Sequence, residues 1–368
     1  GRGLFILDDA TALQQLNTAL TTDATLFDVR PAIHWSMWNN DANMGQKRWV
    51  GENPPDGALI TYYLKDQPKG EVDVTITGSD GKVIRRLKRV SDEAGVNRIA
   101  WDLREEAPFQ APAAPSAARA ESPFGAQPPD TSLAAVRARR RAATGGQAGG
   151  GEEGFFSRAV APSVLPGTYT VTVTVDGKQY AKPLTVEVDP RADITPAQLI
   201  AQHSAGVEMR ELTSRVNRIV ASANDILGQL ATLQTQLRRS GPRVTAESAS
   251  SSTPGAGSTT AVASSSAVLT EIGTTISTLK QFRDSVLTRP LPGLGYRQYP
   301  RLREEITTVS GMISRPISPP TSGEMLRMGE LKTETDGAQA RLDGIIQNNV
   351  LRINQMLTDT PHIVVSRR

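Results

Sequence analysis

The chain contains no cysteine. That excludes disulfides, thiolate metal sites, iron–sulfur clusters and cysteine nucleophiles together. Histidine is almost as scarce: His34, His203 and His362 stand far apart, so no histidine-rich metal centre is expected. Aromatic residues make up only 5% of the chain, against 38% hydrophobic and 21% charged. Charge of one sign is lacking too. With 41 basic and 38 acidic groups the formal charge is +3, and this balance does not point to a nucleic-acid partner. No run approaches the ~18 consecutive apolar residues of a membrane span. The nucleophile-elbow, Walker, dinucleotide and His-Glu-x-x-His patterns are all missing, so neither a cofactor nor a catalytic residue is expected. The opening residues show no initiator Met and no n-region or apolar h-region of a signal peptide. They read as a chain beginning inside a strand, hence as a fragment or processed piece.

What is present has a clear order. At 368 residues the chain has room for two or three domains. Leu4 to Leu7 form a short apolar run. Thr11 to Leu20 carry a helical pattern through Leu13, Leu16 and Leu20, with Thr11 as cap. Leu26 to Val50 read as an irregular connector. From Leu59 the period becomes two: Val72, Val74 and Ile76 alternate with polar residues, and Ser79-Asp80-Gly81-Lys82 turns the chain into Val83 to Leu87. Val96 to Leu103 form another strand. A further hairpin runs from Gly167 through the turn Asp176-Gly177 to Val188. Short strands at this spacing argue a β-sandwich.

Between them, residues 107–162 are rich in Ala, Pro, Gly and Arg and read as a disordered insert. Its Arg137-Ala138-Arg139-Arg140-Arg141 run is read as a solvated stretch. After Asp189-Pro190-Arg191 the period lengthens. Thr195-Pro196 opens a helix, and Leu212, Val216, Ile219, Ala223, Ile226, Leu230, Leu233 and Leu237 form a heptad seam. Residues 241–265 read as a flexible linker. Further helical stripes follow at Leu269–Val286, Leu302–Ile313 and Ser322–Leu357. The expectation is β and α segregated into separate domains: an immunoglobulin-like β-sandwich (58–190), then an antiparallel helical bundle (191–368). Residues 1–57 would be the remnant strand of an upstream propeller and its connector.

Acidic pairs are the commonest catalytic candidates by type: Asp8-Asp9, Asp92-Glu93, Glu105-Glu106, Glu152-Glu153 and Glu304-Glu305. A glycosidase needs its carboxylates about 5–9 Å apart across a cleft, and adjacent strand residues face opposite sides. Each pair is therefore read as structural, with Asp8-Asp9 turning the chain into the following helix. Trp35, Trp38 and Trp49 crowd one segment and are the candidate ligand-stacking residues, His34 beside them. Packing against a neighbouring domain is the alternative reading of these aromatics.

The opening Gly1-Arg2-Gly3-Leu4-Phe5-Ile6-Leu7-Asp8-Asp9, with Leu26-Phe27-Asp28-Val29-Arg30-Pro31 after it, resembles the closing strand and connector of bacterial sortilin-like or BNR-repeat β-propeller proteins, often labelled glycosyl hydrolases. Gly70 to Arg104 is similar to an immunoglobulin-like module of flagellar-hook-capping type, as are Leu165-Pro166-Gly167-Thr168-Tyr169, Asp176-Gly177-Lys178 and Asp189-Pro190-Arg191. The resemblance implies a secreted, periplasmic or outer-surface protein. It also implies a propeller domain upstream as a partner. The absence of catalytic patterns gives the expectation of a non-catalytic scaffold or interaction role for this C-terminal region. The aspartate-box pattern and a sialidase's residue set are absent, so a hydrolase label finds no support in these residues. Two other readings stay open: a hydrolase fragment whose active site lies on the propeller, and a polysaccharide-binding module. Protein and polysaccharide partners are both open.

Overall fold

The computed structural model describes residues 9–36, 56–88, 90–110, 160–240, 257–290, 298–357 and 363–365. The expected propeller strand (residues 1–8), Trp38, Trp49, the arginine run, Glu152-Glu153, most of the insert and His362 lie outside these residues. The chain divides into two compact units. One comprises Gly1–Ala107, Ala117–Glu208 and Ser310–Thr321, the other Pro108–Ser116, Met209–Val309 and Ser322–Arg368.

The first unit opens with two single-turn helices, α1 (Thr11–Gln14) and α2 (Leu16–Ala19), where the leucine spacing predicts one. Thr11, expected as the cap, is the first helical residue: Ala10 stands at the cap position without a side-chain bond, and Asp9 before it accepts the Thr11 backbone N–H at 2.9 Å. Burial alone would raise the Asp9 carboxyl. Hydrogen bonds from Thr11, with Arg30 and Arg98 nearby, outweigh it and hold the group below its ordinary value.

Among the described residues eight strands follow: β1 (Ala24–Leu26), β2 (Ala32–His34), β3 (Ala58–Leu64), β4 (Asp73–Thr77), β5 (Val83–Leu87), β6 (Gly95–Trp101), β7 (Gly167–Val175) and β8 (Lys178–Val188). They form an antiparallel three-stranded sheet, β1-β3-β6, and a curled five-stranded sheet, β2-β8-β7-β4-β5. In the larger sheet β2 runs parallel to β8, pairing Ala32 with Val186 and His34 with Val188.

Period-two patterning explains the core. Val74 and Ile76, Val171, Val173 and Val175, and Leu184 and Val186 turn inward beside Ile60, Tyr62, Ile99 and Trp101. Strand β3 is buried on its other face as well, where Tyr63 packs with Ala12, Ala19 and Phe27. The β7–β8 turn places Asp176 and Gly177 at φ of 46° and 81°, the positive pair that a tight hairpin needs. Glycine is required at residue 57: with φ at +100°, a Cβ there would sit 1.9 Å from the Trp101 carbonyl oxygen.

The expected immunoglobulin-like sandwich is corrected by this topology. Residues 24–34, read as part of the propeller remnant and its connector, supply β1 and β2, one to each sheet, and β2 makes the larger sheet mixed. Three-residue strands are too short to show a period, and parallel pairing to a strand some 150 residues on leaves no local signature.

The expected antiparallel helical bundle is corrected too. Among the described residues the later helices are α3 (Pro196–Ser240), α4 (Gly257–Phe282), α5 (Leu302–Ser314), α6 (Ser322–Ile345) and α7 (Leu351–Met356). Residues 196–208 of α3 and 310–314 of α5 belong to the β-containing unit, so the helical region is not a self-contained body. At 45 residues α3 spans roughly 68 Å, and an apolar stripe of that length finds different neighbours along its course. Its start follows the sequence: Gln198 N–H donates to Thr195 Oγ1 at 3.3 Å, and Gln198 Oε1 accepts the Thr195 N–H at 2.9 Å. This is a reciprocal cap ahead of Pro196.

Within the second unit the α3 seam is buried at Met209, Leu212, Val216, Ile219, Ala223, Ile226, Leu230 and Leu233. Among the described residues a π turn, Arg283–Leu287, ends the helix after α4, and another, Ile346–Val350, lies between α6 and α7. The backbone of α4 begins at Gly257, inside the segment read as linker. Pro108–Gln110, read as the start of the insert, are anchored instead: Phe109 N–H donates to Ser214 Oγ at 3.0 Å, and Asn217 Nδ2 to the Phe109 carbonyl at 2.7 Å. Among the described residues no helix is long and apolar enough to cross a membrane.

Candidate functional site

Several titratable groups of the β-containing unit come together where β6 ends. Trp101 is fully buried, its indole N–H donating to the Arg104 carbonyl at 2.9 Å and its ring edge-on to Tyr169 at 5.6 Å and 67°. Two residues on, Leu103 adopts a φ of +55°. For a buried, γ-branched residue that is a strained conformation, held by the Val164 N–H donating to the Leu103 carbonyl at 2.9 Å. The turn presents Arg104 and Glu105 to opposite partners.

Arg104 Nη1 donates to the carbonyls of Ala161 at 2.7 Å and Ser314 at 3.3 Å. Its guanidinium is held below its ordinary pKa, chiefly by burial and further by Arg315, with Asp102 opposing. Over the Arg104–Ser163 bridge sits His34, Nε2 3.4 Å from Ser163 Oγ. Burial first, then the Arg104 charge, push this imidazole down to about 4. A serine–histidine pair invites a nucleophile–base reading, which needs about 2.6–3.2 Å and a base poised near the working pH. Here the contact is longer and the base far too weak.

The sign of the His34 shift gives a measurable consequence. The unfolded chain takes up a proton near pH 6.5 while the folded one resists until about pH 4. Stability is therefore full above 6.5 and lost as pH falls through that window, by up to roughly 3 kcal/mol. Urea midpoints at pH 7 and 4.5 should differ less for His34→Gln than for the wild type. An unchanged difference would remove His34 as the cause.

Glu105 turns the other way. Its Oε1 lies 2.7 Å from His203 Nε2 on α3, both side chains mostly buried. Its backbone N–H donates to the Pro162 carbonyl at 3.0 Å, and its carbonyl accepts Arg85 Nη1 at 2.9 Å. Tyr169, which donates to the Leu165 carbonyl at 2.6 Å, is raised to about 12 by burial and by the Glu105 charge.

Of the three candidate tryptophans the structure describes Trp35, which is 43% exposed. The Arg191 guanidinium carbon stands 5.4 Å from its ring centroid. Asp189 fixes that guanidinium from below, accepting Nε at 2.9 Å and Nη2 at 2.6 Å, and it also accepts the Ser36 N–H at 3.0 Å. These bonds, those from Arg191 foremost, hold the Asp189 carboxyl well below the usual carboxylate range.

The acidic pairs separate rather than converge. Glu105 goes to His203 and Glu106 to the Arg86 N–H at 3.3 Å. Glu304 accepts Thr288 Oγ1 at 2.8 Å and the Arg301 N–H at 3.0 Å, whereas Glu305 pairs with Arg327. Asp92 accepts Gln67 Nε2 at 3.5 Å. No group of three or more metal-ligating side chains occurs among the described residues. Sequence reasoning left Arg104 unremarked and gave His203 no role. Arg104 is bonded to carbonyls 57 and 210 residues away, which no local pattern announces.

No family model, curated protein or solved structure matches this chain.

Proposed function

We propose that this chain is a non-catalytic scaffold and interaction region, working outside the cytoplasm as part of a bacterial protein of sortilin-like β-propeller type. One observation carries the scaffold reading. In the β-containing unit the ionisable side chains that chemistry would employ serve as ties between distant segments: Arg104 to Ala161 and Ser314, Glu105 to His203, Asp189 to Ser36. A group so engaged stabilises a platform, and using it on a substrate would cost the hydrogen bonds that satisfy its burial. The propeller and the export address rest on the resemblance of Gly1–Asp9 and Leu26–Pro31 to the closing strand and connector of those proteins.

The polysaccharide-binding reading has one observation in its favour, the exposed Trp35 ring beside a fixed guanidinium. A single experiment tests whether this chain itself hydrolyses or retains a glycan. The purified chain is incubated with a panel of glycosides and soluble polysaccharides, scored for both hydrolysis and retention. The scaffold reading expects neither. Turnover that disappears in Glu105→Gln would overturn it in favour of an enzyme; retention that disappears in Trp35→Ala would overturn it in favour of a glycan-binding module.

A further inference from the structure

In the second unit, two amide side chains read the backbone of a short extended segment. Asn354 of α7 donates from Nδ2 to the Ile363 carbonyl at 3.0 Å and accepts the Ile363 N–H on Oδ1 at 2.8 Å. Gln229 of α3 does the same for the next residue, Nε2 to the Val364 carbonyl at 2.9 Å and Oε1 from the Val364 N–H at 2.8 Å. Asp225, one turn before, accepts from the same Gln229 Nε2 at 3.3 Å and steadies the amide. A carboxamide presenting one donor and one acceptor to a residue's C=O and N–H copies the edge of a β-strand.

We propose that this clip is a binding site for an extended peptide strand from a partner protein, with the chain's own residues 363–364 as its tethered occupant. The proposal deepens the interaction reading above and rests on it.

The geometry sets what the site selects. All four hydrogen bonds go to main chain, so they carry no side-chain preference. Selectivity falls on the residue in the position of Ile363, which is 6% exposed and borders the open cleft of Asn224, Gly228, Gln229 and Leu233. The next side chain, Val364, is 66% exposed and reads as unselected. The expected ligand is an extended peptide with one aliphatic, preferably β-branched, residue followed by any residue.

A two-residue grip is weak between separate molecules, whereas residues 363–364 belong to the same chain and meet the site without a second-order encounter. A partner strand therefore competes with the tail, and weakening the tail opens the site.

The test uses the full chain carrying Ile363→Ser and a labelled synthetic peptide of residues 361–368, followed by fluorescence anisotropy. The peptide should bind the variant at least roughly tenfold tighter than it binds the wild type, where the tail competes. Adding Asn354→Ala should abolish that binding. Placing Ser at the Ile363 position of the peptide should abolish it too, whereas Ser at the Val364 position should not. Equal binding to both chains, indifference to Asn354→Ala, or indifference to the peptide's isoleucine would each overturn the proposal.

Should Ile363→Ser impair folding, a second reporter leaves Ile363 intact. The wild-type chain has no cysteine, so Val364→Cys accepts a single label. Excess peptide must lower that label's anisotropy, and the serine-substituted peptide must not. Failure here leaves the hydrolysis and retention results untouched, so loss of the clip and loss of the scaffold reading are separable.

Discussion

Replacing Trp101 with alanine should lower the stability of the chain by about 3–5 kcal/mol, the range for truncating a large buried aromatic. Three contributions act together. The indole is fully buried in the core formed by both sheets, so its removal leaves a void that neighbouring strands close only in part. The edge-on contact with Tyr169 disappears. The Arg104 carbonyl loses its 2.9 Å donor at the turn where Leu103 holds a left-handed conformation. Urea unfolding followed by far-ultraviolet circular dichroism measures the total. Trp101→Phe should cost distinctly less, since it keeps much of the volume and loses chiefly the N–H. A loss below about 1 kcal/mol for the alanine variant would mean that Trp101 does not organise this core.

Arg104→Ala comes next, at about 2–4 kcal/mol. The carbonyls of Ala161 and Ser314 lose a charge-assisted donor, and a buried acceptor left without one costs about 1–3 kcal/mol. Arg104→Met separates two effects. It fills much of the same space without the charge, so part of the packing survives. It also removes one of the two causes that depress His34. The His34 Cε1 proton resonance should then titrate at a higher pH than in the wild type. A titration midpoint unchanged in Arg104→Met would show that burial alone sets the imidazole.

Much of the fold was readable where the physics is local. The alternation of Val74 and Ile76, the Asp176-Gly177 turn and the Thr195-Pro196 helix start each follow from short-range sterics and capping, and each stands where its residues place it. The α3 seam was visible because helical period is a property of one segment. What covers that seam is not such a property, and the bundle expectation failed there.

The two three-residue strands escaped for a related reason. Ala24–Leu26 and Ala32–His34 become strands through partners far along the chain, and their own side chains show no telling pattern. The site follows the same divide. Trp35 stood out by residue type, whereas Arg104 gains its role from backbone acceptors, and backbone carries no letter in a sequence. Glu105 was seen as half of an acidic pair, but its partner proved to be His203, on an element with a different period.

The parallel pairing of β2 with β8 also has a consequence for how the chain folds. The three residues that complete the five-stranded sheet are made early on the ribosome, and the strand they dock on, the last of that sheet, is made about 150 residues later. Closing so long a loop is entropically slow, and folds dominated by such distant pairings fold in milliseconds to seconds rather than microseconds. Until β7 emerges, β4 has only its hairpin partner β5, and its other edge stands open to other chains. Translation past Val188 thus marks the point at which the nascent β unit first holds every strand of its larger sheet.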